Sequence, residues 1–210
     1  MRIYTIFLQR FVSLLTIMTF FTISTNASDN GDVMFGIKIR AGGRYDNVRM
    51  CVATPPGVKG GAAADISAFA ELPAGPGQRV HIDLPVMRPI LFAAAFRMLQ
   101  FEPTVALLFN GEADRSGWVG GPALGVSLHY GPDYLSKREA GERRNSFFAA
   151  GPIIGAFAGY HFRRPDEKYD LRVGIAPYVT PLFGIEDPDG HRGVVVGGLL
   201  DGMMRFNKGK

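Results

Sequence analysis

Apolar and polar side chains alternate along several segments of this sequence, and the alternation limits the folds that the chain can adopt. In DVMFGIKIRAG every second position from Val33 to Ile39 is apolar, whereas Lys38 and Arg40 lie on the other face. The same alternation recurs in RVHIDLPV, YDLRVGIAPYVTPLFGIE and GVVVGGLLDGMMRF. Because successive side chains of a β-strand point to opposite faces, these segments predict strands with one apolar and one polar face.

Clusters of glycine, proline and polar residues separate the apolar segments. Examples are AGGRYDN, TPPGVKGG, REAGERRN and EDPDGHRG. Short strands joined by polar turns are typical of an all-β, antiparallel fold. The pattern predicts ten candidate strands, at residues 33–41, 45–53, 62–72, 78–86, 89–98, 103–110, 118–130, 147–162, 169–185 and 192–206.

The first 27 residues have the pattern of a secretory signal peptide. The basic segment MRIYTIFLQR is followed by the apolar run FVSLLTIMTFFTI, and Thr25 and Ala27 are small residues suited to a cleavage site. The apolar run is shorter than the roughly 20 residues that a membrane-spanning helix needs. We therefore expect residues 1–27 to be a signal peptide and residues 28–210 to form a single exported domain. Cys51 is the only cysteine, so no disulfide can form within the chain.

The stretch from Ser146 to Phe162 contains no charged residue and is open to three interpretations: a transmembrane helix, a core strand, or a strand of a membrane barrel. Its segment GPIIGAFAGY matches the earlier GPALGVSLHY at two glycines, a proline and the final tyrosine. Glycine and Pro152 disfavour a helix, whereas the period-two pattern makes both segments strands. The polar YLSKREAGERRN between them is then the loop of a hairpin, unless the two segments are unrelated core strands.

The position of the turn sets the register of this hairpin. A turn centred near Ala140 and Gly141 pairs Tyr130 with Gly151, and it pairs Gly121 with Tyr160. The two tyrosines then lie at opposite ends of the hairpin, as expected of aromatic residues at the two interfaces of a membrane.

A soluble β-sandwich and a membrane barrel share this alternation, but small residues and paired charges suit the narrow lumen of a barrel. The signal peptide, the alternation, the polar loops and the aromatic strand ends together resemble those of small bacterial outer-membrane β-barrel proteins, from about Asp32 to Phe206. The resemblance implies an antiparallel up-and-down transmembrane β-barrel of about eight to ten strands. Two features depart from that pattern: four residues follow Phe206, where such barrels usually end in an aromatic residue, and Pro177 and Pro181 interrupt a predicted strand.

Two groups of residues follow from this assignment of faces. Charged residues on the polar face are expected to line the lumen, where their mixed signs favour internal pairing: Lys38, Arg40, Arg49, Asp65, Glu71, Asp83, Arg97, Asp170, Arg172, Glu186, Asp201 and Arg205. Aromatic residues at strand ends are candidates for the membrane interfaces: Trp118, Tyr130, Tyr160, Phe162 and Phe206.

Motifs for catalysis or cofactor binding are absent from the sequence. It contains no P-loop, H-E-x-x-H, C-x-x-C or G-x-S-x-G motif, and we expect neither a cofactor nor a metal site. Ser127 and His129 share one face, so a lipid-modifying outer-membrane hydrolase is one alternative, although the order of the two residues is the reverse of the His-x-Ser order in lipid A deacylases. We expect inward histidines to be hydrogen-bonding residues of the lumen.

The expected function is an envelope-structural or narrow-pore role in the outer membrane of a Gram-negative-type bacterium, without catalysis. Outer-membrane lipid is the expected partner, and Lys137, Arg138, Arg143 and Arg144 are candidates for contact with lipopolysaccharide phosphates. No block of like charge indicates a nucleic-acid partner. The main alternative is a soluble periplasmic β-sandwich or lipocalin-like barrel that binds an apolar ligand.

Overall fold

The computed structural model describes residues 33–46, 61–87, 99–110, 115–132, 146–163, 169–184 and 192–206. These residues form nine β-strands: β1 (Met34–Asp46), β2 (Gly61–Gly75), β3 (Gln78–Pro85), β4 (Leu99–Phe101), β5 (Thr104–Phe109), β6 (Gly117–Pro132), β7 (Ser146–Phe162), β8 (Tyr169–Gly184) and β9 (Arg192–Phe206). No helix in the described part of the chain is long and apolar enough to cross a membrane.

The strands close into a single antiparallel barrel. β1 pairs with β9 as well as with β2, and β6 pairs with β7, so the sheet has no open edge at these strands. The short β4 and β5 both pair with β6, at different heights, and together they occupy one position in the wall. The barrel therefore has eight strand positions in up-and-down order, which confirms the predicted all-β antiparallel barrel and its lower strand number.

The two ends of the barrel differ in the lengths of their connections. We call the end that carries Met34 and Phe206 the terminal end, where residues 76–77, 110–116 and 163–168 connect the strands. At the opposite, distal end the connecting residues are 47–60, 86–98, 133–145 and 185–191. Short connections thus lie at the terminal end and most of the long ones at the distal end.

The sequence predicts a turn at AGGRYDN, but β1 continues through these residues to Asp46. This part of the prediction is therefore wrong. Gly42 lies opposite Leu199 on β9, and a Cβ added at Gly42 would collide with the carbonyl oxygen of Gly198. Glycine at this position therefore permits a close approach of β1 and β9, which the turn interpretation missed. The rest of the predicted strand 45–53, and the whole of 89–98, lie outside the described residues.

The hairpin of β6 and β7 forms as predicted, but in a different register. Tyr130 pairs with Phe148 and Trp118 pairs with Tyr160, so the predicted pairs Tyr130–Gly151 and Gly121–Tyr160 are wrong. The physical reason is parity: residues opposite each other in an antiparallel pair share a face, so an outward tyrosine needs an outward partner. The two tyrosines still lie at opposite ends of the hairpin.

The two prolines of β8 are accommodated by local gaps in the strand pairing. β8 pairs continuously with β9, but its pairing with β7 is interrupted around Pro177 and around Pro181. Since proline has no N–H to donate, each proline leaves one rung of the ladder with β7 unformed. Two prolines are thus compatible with an interior strand of this barrel.

We predict that Gly151→Ala destabilises the barrel by about 1–3 kcal/mol. A Cβ at Gly151 would collide with the carbonyl oxygen of Pro181, so β7 and β8 would have to separate. Gly198→Ala is the matched control, because a Cβ there meets nothing within 4 Å, and its cost is expected within about 0.5 kcal/mol. Urea unfolding followed by the fluorescence of Trp118, the only tryptophan, measures both; equal stabilities of the two variants would contradict the close packing of β7 on β8.

Candidate functional site

The interior of the barrel holds buried charged side chains beside an apolar cluster that includes Phe69, Leu108 and Phe157, whereas its exterior is mainly apolar. Glu71 and Asp83 are 0% exposed, whereas Leu200 is 64% exposed and Ile39 is 60% exposed. Charged side chains of β1, β2, β3, β8 and β9 point into the lumen on the same strands whose apolar side chains point outward. Buried charges are costly unless they are paired, so their partners decide what this lumen can do.

A first group of ionisable side chains fills the lumen near the terminal end. We call it the terminal network, and it comprises Glu71, Arg79, His81, His161, Arg163, Asp170, Arg172 and Arg205. Arg172 of β8 donates to both carboxylate oxygens of Glu71 on β2, at 2.5 and 3.3 Å. This contact links two strands that are separated in the wall by β1 and β9, so it spans the lumen.

Asp170 is the second carboxylate of the terminal network. Arg205 donates to its Oδ2 at 2.7 Å, and Arg163 donates to both of its oxygens at 3.0 and 2.9 Å. Arg205 Nη1 also lies 3.5 Å from Glu71 Oε2. Arg205 therefore joins the two carboxylates into one connected set of charges.

A second group, the central network, lies on β1, β2, β3 and β9 and comprises Lys38, Arg40, Asp65, Ser67, Asp83 and Asp201. Lys38 Nζ lies 2.6 Å from Asp83 and 3.7 Å from Asp201. Arg40 lies 2.8 Å from Asp65 and 3.1 Å from the same Asp83. Each of these two cations thus contacts two carboxylates, which is a favourable arrangement for a charge inside a protein.

The third group lies toward the distal end and contains Gln100, Glu102, Ser127 and His129. Ser127 Oγ lies 2.8 Å from Glu102 Oε1 and 2.7 Å from His129 Nε2. Gln100 donates to Glu102 at 2.9 Å, and both Ser127 and His129 are 0% exposed. Glu102 approaches the same ring nitrogen as Ser127, at 3.5 Å. In a Ser–His–acid triad the acid binds the other ring nitrogen, so this arrangement differs from that of an activated nucleophile.

A cavity of about 60 Å³ lies inside the barrel between charged residues and an apolar surface. Lys38, Arg40 and Asp201 line one part of it, and Leu108 and Phe157 line another. At roughly 30 Å³ for each water molecule, the volume corresponds to about two water molecules. Two buried atoms, Asp201 Oδ1 and His81 Nε2, have no hydrogen-bond partner among the described residues, and both side chains line this cavity. The lumen is therefore nearly filled by side chains, with room for a small hydrated space.

The structure places most of the predicted lumen residues together in these networks. Asp170, Arg172 and Arg205 belong to the terminal network, and Lys38, Arg40 and Asp201 belong to the central network. Arg49, Arg97 and Glu186 lie outside the described residues. The buried polar residues that were not predicted include Arg44, Ser67, Arg79, Gln100 and Glu102. The signal for Arg79 was its parity with His81 and Asp83, whereas Glu102 lies in a break between β4 and β5 that no alternation reveals.

The predicted interface aromatics all lie on the outer surface. Trp118 and Tyr160 contact each other edge to face with ring centroids 5.5 Å apart, and Tyr160 lies 4.8 Å from Phe162. These three residues and Phe206 are near the terminal end, and Tyr130 is near the distal end. The inward histidines of the β6–β7 hairpin do not converge: His129 lies near the distal end and His161 near the terminal end.

Within the described strands, no group of three or more His, Cys, Asp or Glu side chains is arranged to hold a metal ion. Comparison with protein-family models, with curated proteins and with solved structures finds no significant match to this chain.

We predict that Glu71→Gln lowers the free energy of unfolding by about 3–5 kcal/mol, because it leaves the buried guanidinium of Arg172 without its carboxylate. The double variant Glu71→Gln/Arg172→Gln removes both charges, so its cost is expected to be smaller than the sum of the two single costs by about 1–3 kcal/mol. Chemical unfolding of the four proteins measures this coupling. Strict additivity would show that the two side chains do not form the pair across the lumen.

Proposed function

We propose that this chain is an outer-membrane β-barrel protein with a closed, ion-paired lumen and an envelope-structural role. The observation that supports the proposal is the unusual distribution of side chains: paired charges are buried inside, next to a small apolar cluster, and large apolar side chains cover the outside. In a bilayer, lipid tails cover an apolar exterior, and a closed barrel satisfies every backbone hydrogen bond within the wall.

The same inversion weighs against the lipocalin-like alternative. A soluble barrel that binds an apolar ligand needs an apolar lumen and a polar exterior. Here the two charged networks and the polar group around Ser127 lie in the lumen. On the outside of β1, every second residue from Phe35 to Ile39 is an exposed large apolar residue. Monomeric soluble proteins rarely expose contiguous apolar surfaces of this kind.

The height of the apolar exterior supports insertion in a membrane. Trp118 and Tyr130 lie on the outer face of β6 near its two ends. Twelve residues at about 3.4 Å per residue, in a strand tilted by about 40°, separate the two aromatic positions by roughly 30 Å along the barrel axis. This matches the roughly 30 Å hydrocarbon thickness of a bilayer.

The unequal lengths of the connections at the two ends support one orientation of the barrel in the membrane. Barrels of bacterial outer membranes have short periplasmic turns and longer extracellular loops. The terminal end is therefore proposed to face the periplasm and the distal end the exterior. In this orientation residues 133–145, which contain the candidate lipopolysaccharide contacts Lys137, Arg138, Arg143 and Arg144, connect β6 to β7 on the outer side. Those four residues, like the predicted signal peptide, lie outside the described residues.

The filled lumen favours a structural role over that of a wide porin. The contact of Arg172 with Glu71 joins strands three positions apart in the wall, the contact of Arg205 with Glu71 joins strands two positions apart, and the central network adds a second level of pairs. A small barrel of eight strands has an interior that side chains can fill. Passage of a solute would require these pairs to separate, so the protein admits at most water-sized species through its cavity.

The Ser127–His129 pair favours a structural role over a catalytic one. Both side chains are buried, and the hydroxyl has one proton, which the nearby Glu102 carboxylate accepts at 2.8 Å. A serine held in this way is a hydrogen-bonding member of the lumen, in contrast to a nucleophile at the lipid-facing surface.

We predict that Leu200→Lys lowers the free energy of unfolding in lipid vesicles by about 2–4 kcal/mol. The reason is that the side chain of Leu200 lies near mid-height on the outer face of β9, where a charged side chain would face lipid. Val33→Lys, at the terminal end, is the matched control and is expected to cost about 0–1 kcal/mol. The wild-type protein is expected in the outer-membrane fraction and to need detergent for extraction. Release of the wild type without detergent, or a Leu200→Lys variant as stable as Val33→Lys, would contradict insertion in a membrane.

We predict that Ser127→Ala lowers the free energy of unfolding by about 1–2 kcal/mol, because hydrogen bonds are lost. The substitution is expected to leave lipid turnover unchanged, because the wild type is expected to have none. Ser67→Ala, which removes another buried lumen hydroxyl, is the matched control. Mass spectrometry of lipopolysaccharide incubated with each protein provides the measurement. Deacylation by the wild type and by Ser67→Ala, but not by Ser127→Ala, would overturn the non-catalytic role.

A further inference from the structure

The cavity inside the barrel has a polar part and an apolar part, and buried side chains form both. His81 and Asp201 belong to the polar part and are 4% and 2% exposed. Leu108, Phe157 and Met203 belong to the apolar part, and they pack together in one cluster of buried residues. A molecule that matches this space therefore has both a polar group and an apolar group.

The ring of His81 is held so that its Nε2 atom is left as an acceptor. Its Nδ1 atom lies 3.0 Å from Glu71 Oε1, and because the carboxylate accepts, Nδ1 carries the proton. The ring also lies beside that of Phe69, with the two centroids 4.8 Å apart. In the neutral ring Nε2 is then an acceptor, and none of the described residues donates a hydrogen bond to it.

Asp201 supplies a second acceptor to the same cavity. Its Oδ2 atom lies 3.7 Å from Lys38 Nζ, whereas its Oδ1 atom is buried and has no hydrogen-bond partner in the part of the chain that the structure describes. An acceptor buried without a donor costs free energy, which a ligand that donates a hydrogen bond would recover. The two atoms therefore favour a ligand that is a donor.

The charges around the cavity favour a neutral donor over an ion. Lys38 and Arg40 line the same space, so a cation such as ammonium would face two positive charges. An anion would face the carboxylate of Asp201. A hydroxyl group is neutral, its proton can be donated to either acceptor, and its oxygen can itself accept a hydrogen bond from a side chain such as Lys38.

The volume of the cavity, about 60 Å³, limits the size of the ligand. A cavity of about 150 Å³ holds benzene, which corresponds to about 25 Å³ for each non-hydrogen atom, so the space here suits about two or three such atoms. Two water molecules would also fit the volume. A water molecule needs about two to four polar partners, however, and one placed against Leu108 and Phe157 would find few of them.

We propose that this cavity binds a small neutral alcohol, with its hydroxyl group at Asp201 or His81 and its alkyl group against Phe157. The alkyl group then occupies the part of the cavity that suits water least. The dissociation constant is expected to be about 1 mM or weaker, because a ligand of so few atoms makes few contacts. The proposal concerns the lumen alone and does not depend on where the barrel resides.

Methanol is the probe that tests this site, with the full chain folded in deuterated detergent micelles and its methionine methyl groups isotopically labelled for NMR. Met203 lines the cavity, whereas its neighbour Met204 faces outward and is 39% exposed, so Met204 reports alcohol dissolved in the micelle. We expect a saturable shift of the Met203 methyl resonance, a nuclear Overhauser effect from methanol to that methyl group, and only a linear drift at Met204. An unsaturable change at both residues, no change at Met203, or contacts of Met203 with water alone would overturn the proposal.

Ala106→Val tests whether the response comes from the cavity. Ala106 is 5% exposed and lines the cavity, and two further carbon atoms there fill about 50 Å³ at about 25 Å³ each. The variant is therefore expected to weaken methanol binding at least tenfold. Ala64→Val is the matched control, because Ala64 is exposed on the outer face of β2, and it is expected to change the affinity less than twofold. Equal affinities in the two folded variants would contradict the site.

A series of alcohols keeps the test decisive if Ala106→Val fails to fold, because it uses the wild type alone. Methanol and ethanol are expected to bind with similar affinity, whereas butanol needs about 125 Å³ and is expected not to displace methanol from Met203. Partition into micelles follows the opposite order, since it grows with the length of the alkyl chain. A response of Met203 that is strongest for butanol would therefore overturn the proposal. A failure of any of these tests in micelles is separable from a failure of membrane insertion, which the Leu200→Lys comparison measures.

Discussion

The ion pair between Arg172 and Glu71 joins side chains 101 residues apart across the interior of the barrel, and the architecture depends on such pairs. Closing a sheet of eight strand positions leaves a narrow interior, so an inward charge meets another inward side chain before it meets bulk water. Each charged residue on the inner face therefore needs a partner on another strand. Where partners exist, as for Lys38 with Asp83, the strand keeps its charged face inside and its apolar face outside.

Pairing inside the barrel also determines which side chains cover its outer surface. Alternation along β1 forces Ile37 and Ile39 outward once Lys38 and Arg40 point inward, and the same holds for Leu200 beside Asp201 on β9. Such an exterior is poorly suited to water but well suited to lipid. The proposals of a membrane location and a closed lumen therefore rest on one physical arrangement, with charged side chains paired inside the barrel and large apolar side chains outside.

Much of this arrangement is predictable from the sequence, because strand faces follow from local alternation. The inward positions of Lys38, Asp170 and Asp201 depend only on their neighbours in the chain. The ends of strands are less predictable: the glycines of AGGRYDN indicate a turn by composition, whereas Gly42 serves the close approach of β1 and β9. That approach is a property of two segments far apart in the chain, and neither segment reveals it alone.

Register and pairing across the lumen were the parts that local patterns did not specify. The parity of outward residues excludes the pair Tyr130–Gly151, but parity alone does not choose among the remaining registers. Likewise, mixed inward charges predict pairing without saying that Glu71 meets Arg172. Those choices depend on barrel closure and on side-chain lengths, so they required the structure.

The direction in which the side chains of β9 point is the most direct test of a membrane-embedded barrel. With Cys51 replaced by serine, nitroxide labels attached to single cysteines at positions 199 to 204 report the accessibility of each position to oxygen and to a water-soluble nickel complex in lipid vesicles. We expect high oxygen accessibility at Leu200, Gly202 and Met204, and low accessibility to both reagents at Leu199, Asp201 and Met203, because the first three face outward and the second three face the lumen. High accessibility of the outward positions to the nickel complex, with little to oxygen, would place water on the exterior and contradict the membrane-embedded barrel.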